Sequence, residues 1–80
     1  MKDVNIIAET KIDNHRVVVT QDTIQHDFTM FRVCVVRKLF WFWTYLSCIA
    51  SYKAIGKSSF NIQKYNALAK LNQLHNHGKV

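Results

Sequence analysis

The 80-residue chain has no proline, only two glycines and only two cysteines. Two isolated glycines cannot form the glycine-rich loop that cradles phosphates in many nucleotide-binding proteins. Cys34 and Cys48 form no short Cys-x-x-Cys pair of the kind that holds structural zinc. The uncharged run from Leu39 to Tyr52 has about fourteen residues, against roughly twenty for a membrane-spanning helix. The sequence therefore predicts no cofactor, no metal site and no membrane span.

Carboxylates are absent from the last two thirds of the chain. All five acidic residues lie at or before Asp27, whereas eight of the eleven basic residues follow it. The net charge of +6 therefore divides into −2 for residues 1–27 and +8 for residues 28–80. A region of one sign attracts phosphates or an acidic protein. Because it also lacks carboxylate pairs for acid–base chemistry, the sequence predicts a binding protein and not an enzyme.

The amino-terminal residues MKDVNIIAETKIDN are too polar for a signal peptide. We therefore expect a cytoplasmic protein, in which a reducing environment keeps both cysteines as free, buried thiols. A hairpin turn near Arg37 and Lys38 would also favour free thiols over a disulfide. It would pair Cys34 with a residue near Trp41 and leave Cys48 far along the ladder.

Alternation of apolar and polar residues with a period of two predicts a strand in VNIIAETKI. RVVVTQDT is predicted to follow it as the second strand of a hairpin, and FTMFRVCVV, rich in valine and phenylalanine, is predicted to be a third strand. The stretch DNHR predicts a turn, because Asp and Asn tolerate left-handed backbone, and the polar stretch QDTIQHD predicts a loop. The predicted strands cover about residues 4–12, 16–23, 28–36 and 40–54, and the predicted helix covers about 59–77.

The stretch RKLFWFWTYLSC, residues 37–48, places five aromatic side chains in six positions. A strand is the preferred interpretation, because clustered aromatics favour a pleated surface and lose rotamer freedom in a helix. A helix over residues 39–55 is the alternative, since apolar residues also recur there at three- and four-residue steps. In that case AIGKSSF resembles the turn of helix-turn-helix modules, although Gly56 follows the apolar Ile55 instead of preceding it. The DNA-facing residues of that alternative are Ser58, Ser59, Asn61, Gln63 and Lys64.

The stretch FNIQKYNALAKLNQLHNH keeps a helical period until Gly78, with Ser58 and Ser59 as capping residues before it. Its apolar stripe, which should pack on the sheet, comprises Phe60, Ala67, Leu68, Leu71 and Leu74. A polar row is predicted on the opposite side and comprises Gln63, Asn66, Lys70, Gln73 and His77. In such a row lysine meets phosphate, while Asn and Gln bond the edges of bases.

These elements predict an α+β fold, a small antiparallel sheet of three to four strands with one carboxyl-terminal helix packed on one face. The whole chain, residues 1–80, is predicted to be a single domain. One helix covers only one face of a sheet, yet the fourth strand is apolar on both. We therefore expect the other face to need a second cover, either a second copy of the chain, nucleic acid or a different protein.

The favoured function is the binding of nucleic acid, with basic residues on phosphates and exposed aromatics stacked on bases. The alternative is a regulator or inhibitor of the phage or mobile-element type, which binds an acidic protein target through the aromatic face, alone or as a homodimer. A helix-turn-helix DNA binder is the third interpretation. The predicted contact residues are Arg37, Lys38, Trp41, Trp43, Tyr45, Lys53, Lys57, Gln63, Lys64, Asn66, Lys70 and Gln73.

Overall fold

The computed structural model describes residues 5–13, 15–39 and 42–78, with the backbone alone at Lys38, Leu39, Phe42, Trp43, Tyr45 and Leu46. Over these residues the chain forms four strands followed by one helix. They are β1 (Asn5–Ile12), β2 (His15–Gln25), β3 (Phe28–Leu39), β4 (Phe42–Ile55) and α1 (Gly56–His77). The sheet is antiparallel, in the order β1-β2-β3-β4, and α1 packs on it. The predicted α+β fold with four strands and one carboxyl-terminal helix is confirmed.

β1 and β2 form a hairpin whose connection begins at Asp13. Ile12 pairs with His15, and Asp13 has a positive φ of 51°. Asp tolerates this left-handed conformation better than most residues. His15 Nδ1 donates a hydrogen bond to the Asp13 carbonyl oxygen at 2.8 Å. The turn predicted from DNHR is confirmed at Asp13.

β2 extends beyond its predicted end into the stretch QDTIQHD, which was expected to be a loop. Pairing with β3 continues to Gln25, with a register shift after Thr23, and His26 and Asp27 form the turn. Backbone pairing outweighs the polar composition here, because side chains near the end of a hairpin can remain in water while the ladder is complete.

The aromatic stretch is part of a strand pair, as the preferred interpretation held, but the predicted position of the turn is wrong. β3 continues through Arg37 and Lys38 to Leu39, which pairs with Phe42. Neither basic residue favours a turn in the way that Gly, Pro, Asn or Asp does. At a strand end, moreover, a basic side chain reaches water without breaking the ladder, and Arg37 is exposed.

The later turn brings the two cysteines together. Cys34 of β3 pairs directly with Cys48 of β4, and not with a residue near Trp41, which lies outside the described residues. Both cysteines are free thiols, as predicted. Cys34 is buried, but the expectation that Cys48 is buried too is wrong, because Cys48 is exposed on the edge strand.

α1 begins about three residues earlier than predicted. Gly56, with a φ of 77°, carries the chain out of β4, and its N–H donates to the Asp27 carbonyl oxygen at 2.9 Å. No side chain caps the helix at Ile55. The Ser59 hydroxyl, which was expected to cap, instead accepts a hydrogen bond from the Ile55 N–H at 2.9 Å and donates one to the Ile55 carbonyl oxygen. Ser59 thus ties the first turn of α1 to the end of β4.

α1 ends where the sequence predicts. Gly78 has a φ of 73°, and its N–H donates to the Leu74 carbonyl oxygen at 3.0 Å. This left-handed residue satisfies a carbonyl group that would otherwise lack a partner at the end of the helix.

The main core lies on the sheet face that α1 covers, which we call the helix face. Phe31 is fully buried there, and its ring meets that of Phe60 edge-on with the centroids 5.3 Å apart. Such a pair contributes about 0.5–1.5 kcal/mol beyond the burial of its area. Ala67 and Leu71 are the buried residues of α1, so the predicted apolar stripe is confirmed. The buried cluster comprises Ile12, Val17, Val19, Phe31, Val33, Val35, Ala54, Ala67 and Leu71.

No other described element packs on the opposite sheet face, which we call the open face. It nevertheless holds a small cluster of buried residues, Val18, Cys34 and Val36. The register sets Arg16 opposite Val36 and Arg32 opposite Thr20, so two partly buried arginines border the cluster. Within β2 and β3, residues of this face are thus buried without a second layer. The expected second cover concerned the aromatic residues of β4 and stays a prediction.

Candidate nucleic-acid interface

Two arginines of the strands are paired with acids of the β1–β2 hairpin. The Arg16 guanidinium donates to the Glu9 carboxylate, and this hydrogen bond is the main reason that the pKa of Glu9 lies below its ordinary value. Arg32 Nη1 lies 3.6 Å from the Asp22 carboxylate. Because these arginines already have anionic partners, they are less available to an external phosphate than an unpaired cation would be.

The lysines of α1 have no such partners within the described part of the chain. Lys57, Lys64 and Lys70 form no ion pair there, and α1 contains no acidic residue. At about 100° per residue, Lys57 and Lys64 fall on one flank of the helix and Lys70 on the other. Lys57 is exposed and the other two are half-buried, as expected when a stem lies on the sheet and its ammonium group reaches water. Positive charge therefore borders α1 on both sides.

The predicted polar row of α1 does not lie opposite the apolar stripe. Gln63, Asn66 and Lys70 are half-buried, and Asn66 Nδ2 donates a hydrogen bond to Gln63 Oε1 at 3.3 Å. The row follows one flank of the helix because its members lie only about a quarter turn from Ala67, at the centre of the stripe. Two of the predicted base-reading amides thus bind each other.

The side of α1 farthest from the sheet, which we call the outer face, comprises Asn61, Ile62, Tyr65, Ala69, Asn72 and Asn76, all of them exposed. Tyr65 is 72% exposed and Ile62 is 59% exposed. Both were missed among the predicted contact residues. Helical winding from Ala67 could have found them, since both lie on the far side of the helix from the stripe. The outer face therefore combines an aromatic ring, three amides and no carboxylate.

The predicted contact residues of the β3–β4 hairpin lie apart from α1 in the chain. Arg37 is exposed near the end of β3, and the register sets Trp43 opposite Lys38. Tyr45 pairs in the ladder with Val36, a residue of the open-face cluster. Trp41 lies outside the described residues, as do the side chains of the other two aromatics, so their stacking role stays a prediction.

Lys53 of β4 lies on the open face of the sheet, opposite to the face that α1 covers. Its Nζ is 5.5 Å from the centroid of the Phe28 ring, a cation–π contact. The next residue, Ala54, belongs to the core of the helix face, and successive strand residues point to opposite faces. Among the side chains that the structure describes, the predicted contact residues are thus divided between the two faces of the sheet, and those on α1 lie together.

A shallow depression of about 450 Å³ opens between the β2–β3 turn and the start of α1. Lys57 lines it together with His26 and Asp27. The Asp27 carboxylate opposes the positive charge of Lys57 there, so this depression suits a phosphate less well than the flanks of α1 do.

Within the described ranges, no three His, Cys, Asp or Glu side chains come together in a way that could hold a metal ion. His75 Nδ1 is instead 2.9 Å from the Thr10 hydroxyl, to which it is hydrogen-bonded. None of the described helices is long and apolar enough to cross a membrane. The helix-turn-helix interpretation is wrong, because residues 42–55 form β4 and supply no first helix.

No protein-family model matches this chain, and no curated protein or solved structure matches it either. Its function must therefore be inferred from the placement of its own residues. Among these, α1 is where unpaired positive charge, amides and an exposed aromatic ring occur together.

Proposed function

We propose that the protein binds nucleic acid through α1, as a stoichiometric binder without catalytic activity. The observation that carries the proposal is the arrangement around this helix. Lysines border both flanks, amides and Tyr65 occupy the outer face, and no carboxylate intervenes. A helix in a groove has a phosphate backbone on each side and base edges beneath it. Each part of α1 then has a matching part of the ligand.

The dimensions favour the major groove of duplex DNA. That groove is about 12 Å wide and admits one α-helix, and the 22 residues of α1 give it a length of about 33 Å. Lys64 and Lys70 would meet phosphates on the two backbones. Asn61 and Asn72 would reach base edges, where Asn pairs with adenine through two hydrogen bonds.

The ion pairs of the sheet also support α1 as the binding surface. Glu9 and Asp22 pair with strand arginines on the open face, so these two carboxylates are engaged away from α1. A helix with several acids would repel phosphate, whereas α1 has none. Trp43 and Tyr45, predicted from the sequence to stack on bases, would extend this surface only if the ligand also reaches the β3–β4 hairpin.

The test is a fluorescence-anisotropy titration of labelled duplex DNA, single-stranded DNA and RNA over a range of salt concentrations. We expect saturable binding whose log K falls linearly with log salt. Replacing Lys64 and Lys70 together by Ala should reduce the slope by about 2, because each phosphate that is no longer neutralised lowers it by roughly 0.9. Lys11→Ala, which removes an exposed lysine of β1, is the matched control and should leave the slope unchanged.

Binding that is absent at low salt for all three nucleic acids would overturn the proposal. Lys11→Ala removes one charge where the double variant removes two. A weakening half as large would therefore show that net charge alone acts and would also remove α1 as the site. Tyr65→Ala compared with Tyr65→Phe separates a ring that contacts the ligand from a hydroxyl, since only the former substitution removes the ring.

A second candidate function, the binding of a protein through an apolar interface, is favoured by one specific observation. Ile62 and Tyr65 expose apolar area side by side on the outer face of α1, and an aromatic centre with a charged rim is typical of protein interfaces. In that case Ile62→Ser should weaken binding more than the loss of Lys64 and Lys70 does, and salt should have little effect. Sedimentation over a range of concentrations would show whether the partner is a second copy of the chain.

A further inference from the structure

Cys34 and Cys48 face each other across the β3–β4 ladder on the open face. They form a direct Cα pair, and opposed residues of an antiparallel ladder have Cα atoms about 4.5–5.5 Å apart. A disulfide requires a Cα separation of roughly 4.4–6.8 Å. The register shifts beside this pair, between Val33 and Cys34, yet the two thiols are close enough to hydrogen-bond. The cysteines therefore lie within reach of a disulfide, although both are free thiols.

The two thiols differ in their access to solvent. Cys34 is only 2% exposed, whereas Cys48 is exposed. Burial raises the pKa of the Cys34 thiol to about 12, and a hydrogen bond with the Cys48 thiol is the second cause. The thiols are therefore neighbours, with one open to a reagent and the other shielded from it.

We propose that Cys34 and Cys48 form a reversible oxidation site, at which a small-molecule disulfide such as glutathione disulfide converts the pair into an intramolecular disulfide. The Cys48 thiolate attacks one sulfur of the reagent, the reagent's S–S bond breaks, and one glutathione thiolate leaves as the mixed disulfide forms. The Cys34 sulfur then loses its proton, attacks the Cys48 sulfur and expels the second glutathione thiolate. Two protein thiols are oxidised, one glutathione disulfide is reduced, and the two glutathione thiolates take up the two protons.

Exposure sets the order of these steps. The reagent reaches Cys48 first, because Cys34 has almost no accessible surface. The second step is the slower one, since a thiol that holds its proton tightly supplies little thiolate. A mixed disulfide on Cys48 should therefore appear early and disappear as the intramolecular bond forms.

The disulfide would close a loop around residues 35–47, which include the turn and the aromatic positions of the β3–β4 hairpin. Closing such a loop restricts the unfolded chain and stabilises the folded one. We expect the oxidised protein to melt about 10 °C or more above the reduced protein. This inference does not depend on the proposed binding of nucleic acid.

The test is to equilibrate the full chain in buffers of varied ratios of reduced to oxidised glutathione, block free thiols with an alkylating reagent and measure intact mass. The oxidised wild type should lose two hydrogen atoms, take up no alkyl group and remain a single chain. Cys48→Ser should stay unoxidised, since its remaining thiol is buried. Cys34→Val should retain glutathione on Cys48, because no second thiol is present to displace it.

Three results would overturn the inference: a glutathione adduct that persists in the wild type at equilibrium, a disulfide between two chains, or two free thiols at every ratio tested. If Cys34→Val does not fold, Cys34→Ala replaces it. Peptide mapping of the oxidised wild type under native conditions tests the Cys34–Cys48 bond without any substitution.

Discussion

The two faces of the sheet hold buried residues in different ways. On the helix face, α1 covers the strands and the Phe31 and Phe60 rings pack edge-on. On the open face, Val18, Cys34 and Val36 are buried although no other described element packs above them. Partly buried arginines with carboxylate partners border that cluster. Burial on a sheet face thus does not by itself show that a second layer or a partner is present.

The helix face should account for most of the stability, and Phe31→Ala should show the largest effect. Phe31 has no exposed surface and makes the edge-on contact with Phe60. Removing a buried aromatic ring costs about 3–5 kcal/mol in the free energy of unfolding, which is a large part of the stability of a domain of this size. Chemical denaturation followed by circular dichroism measures it. Phe31→Leu should cost much less, because it keeps most of the buried apolar volume. Equal costs would show that the aromatic ring itself, and not that volume, determines the loss.

Two adjacent valines of β2 allow a matched comparison of the faces. Val18 on the open face and Val19 on the helix face both have 0% exposed surface. Truncation to Ala removes the same atoms, but the cavity beneath α1 stays closed, whereas water can enter more easily at the open face. We expect Val19→Ala to cost about 2.5 kcal/mol and Val18→Ala about 1.5 kcal/mol. Equal values from denaturant unfolding would show that the open face is as well packed as the helix face.

Alkaline pH should lower the free energy of unfolding through Cys34, which lies on the open face. The pKa of its thiol is raised from 9.0 to about 12, so the folded protein keeps this proton where the unfolded chain loses it. The contribution to stability is complete below about pH 9 and is lost as pH rises toward 12. The unfolding free energy of the wild type should therefore fall over this window relative to that of Cys34→Val. The two proteins differ only at residue 34, so parallel curves would contradict the prediction.

The fold could be predicted because its signals are local. Period-two alternation predicts β1, valine-rich composition predicts β2 and β3, and Gly78 ends α1 at the place where its helical period ends. The position of the β3–β4 turn could not be predicted, because the chain there has no glycine, proline, Asn or Asp to mark it. That one error concealed the pairing of Cys34 with Cys48, since register depends on where a hairpin turns.

The candidate site was predicted in part. The lysines of α1 could be predicted as contact residues because the chain has no carboxylate side chain after Asp27. That signal is one of composition and needs no structure. The outer face of α1 was harder to predict, because Gln63 and Lys64 lie toward the sheet while Ile62 and Tyr65 lie away from it. The helix is only weakly amphipathic, so its own sequence does not determine which flank packs. Contacts with the sheet determine it as well.

The smallest predicted effect concerns how Arg32 protects the open face. Its side chain is 38% exposed and pairs with Asp22, which is 35% exposed, at 3.6 Å. A pair so accessible to solvent contributes less than about 1 kcal/mol. Arg32→Met keeps the apolar stem without the charge, whereas Arg32→Ala removes both. If the stem is what shields Val18 and Cys34, Arg32→Ala should cost about 0.5–1 kcal/mol more than Arg32→Met in denaturant unfolding, and high salt should not change that difference. A difference that disappears in high salt would instead assign the protection of this face to the ion pair.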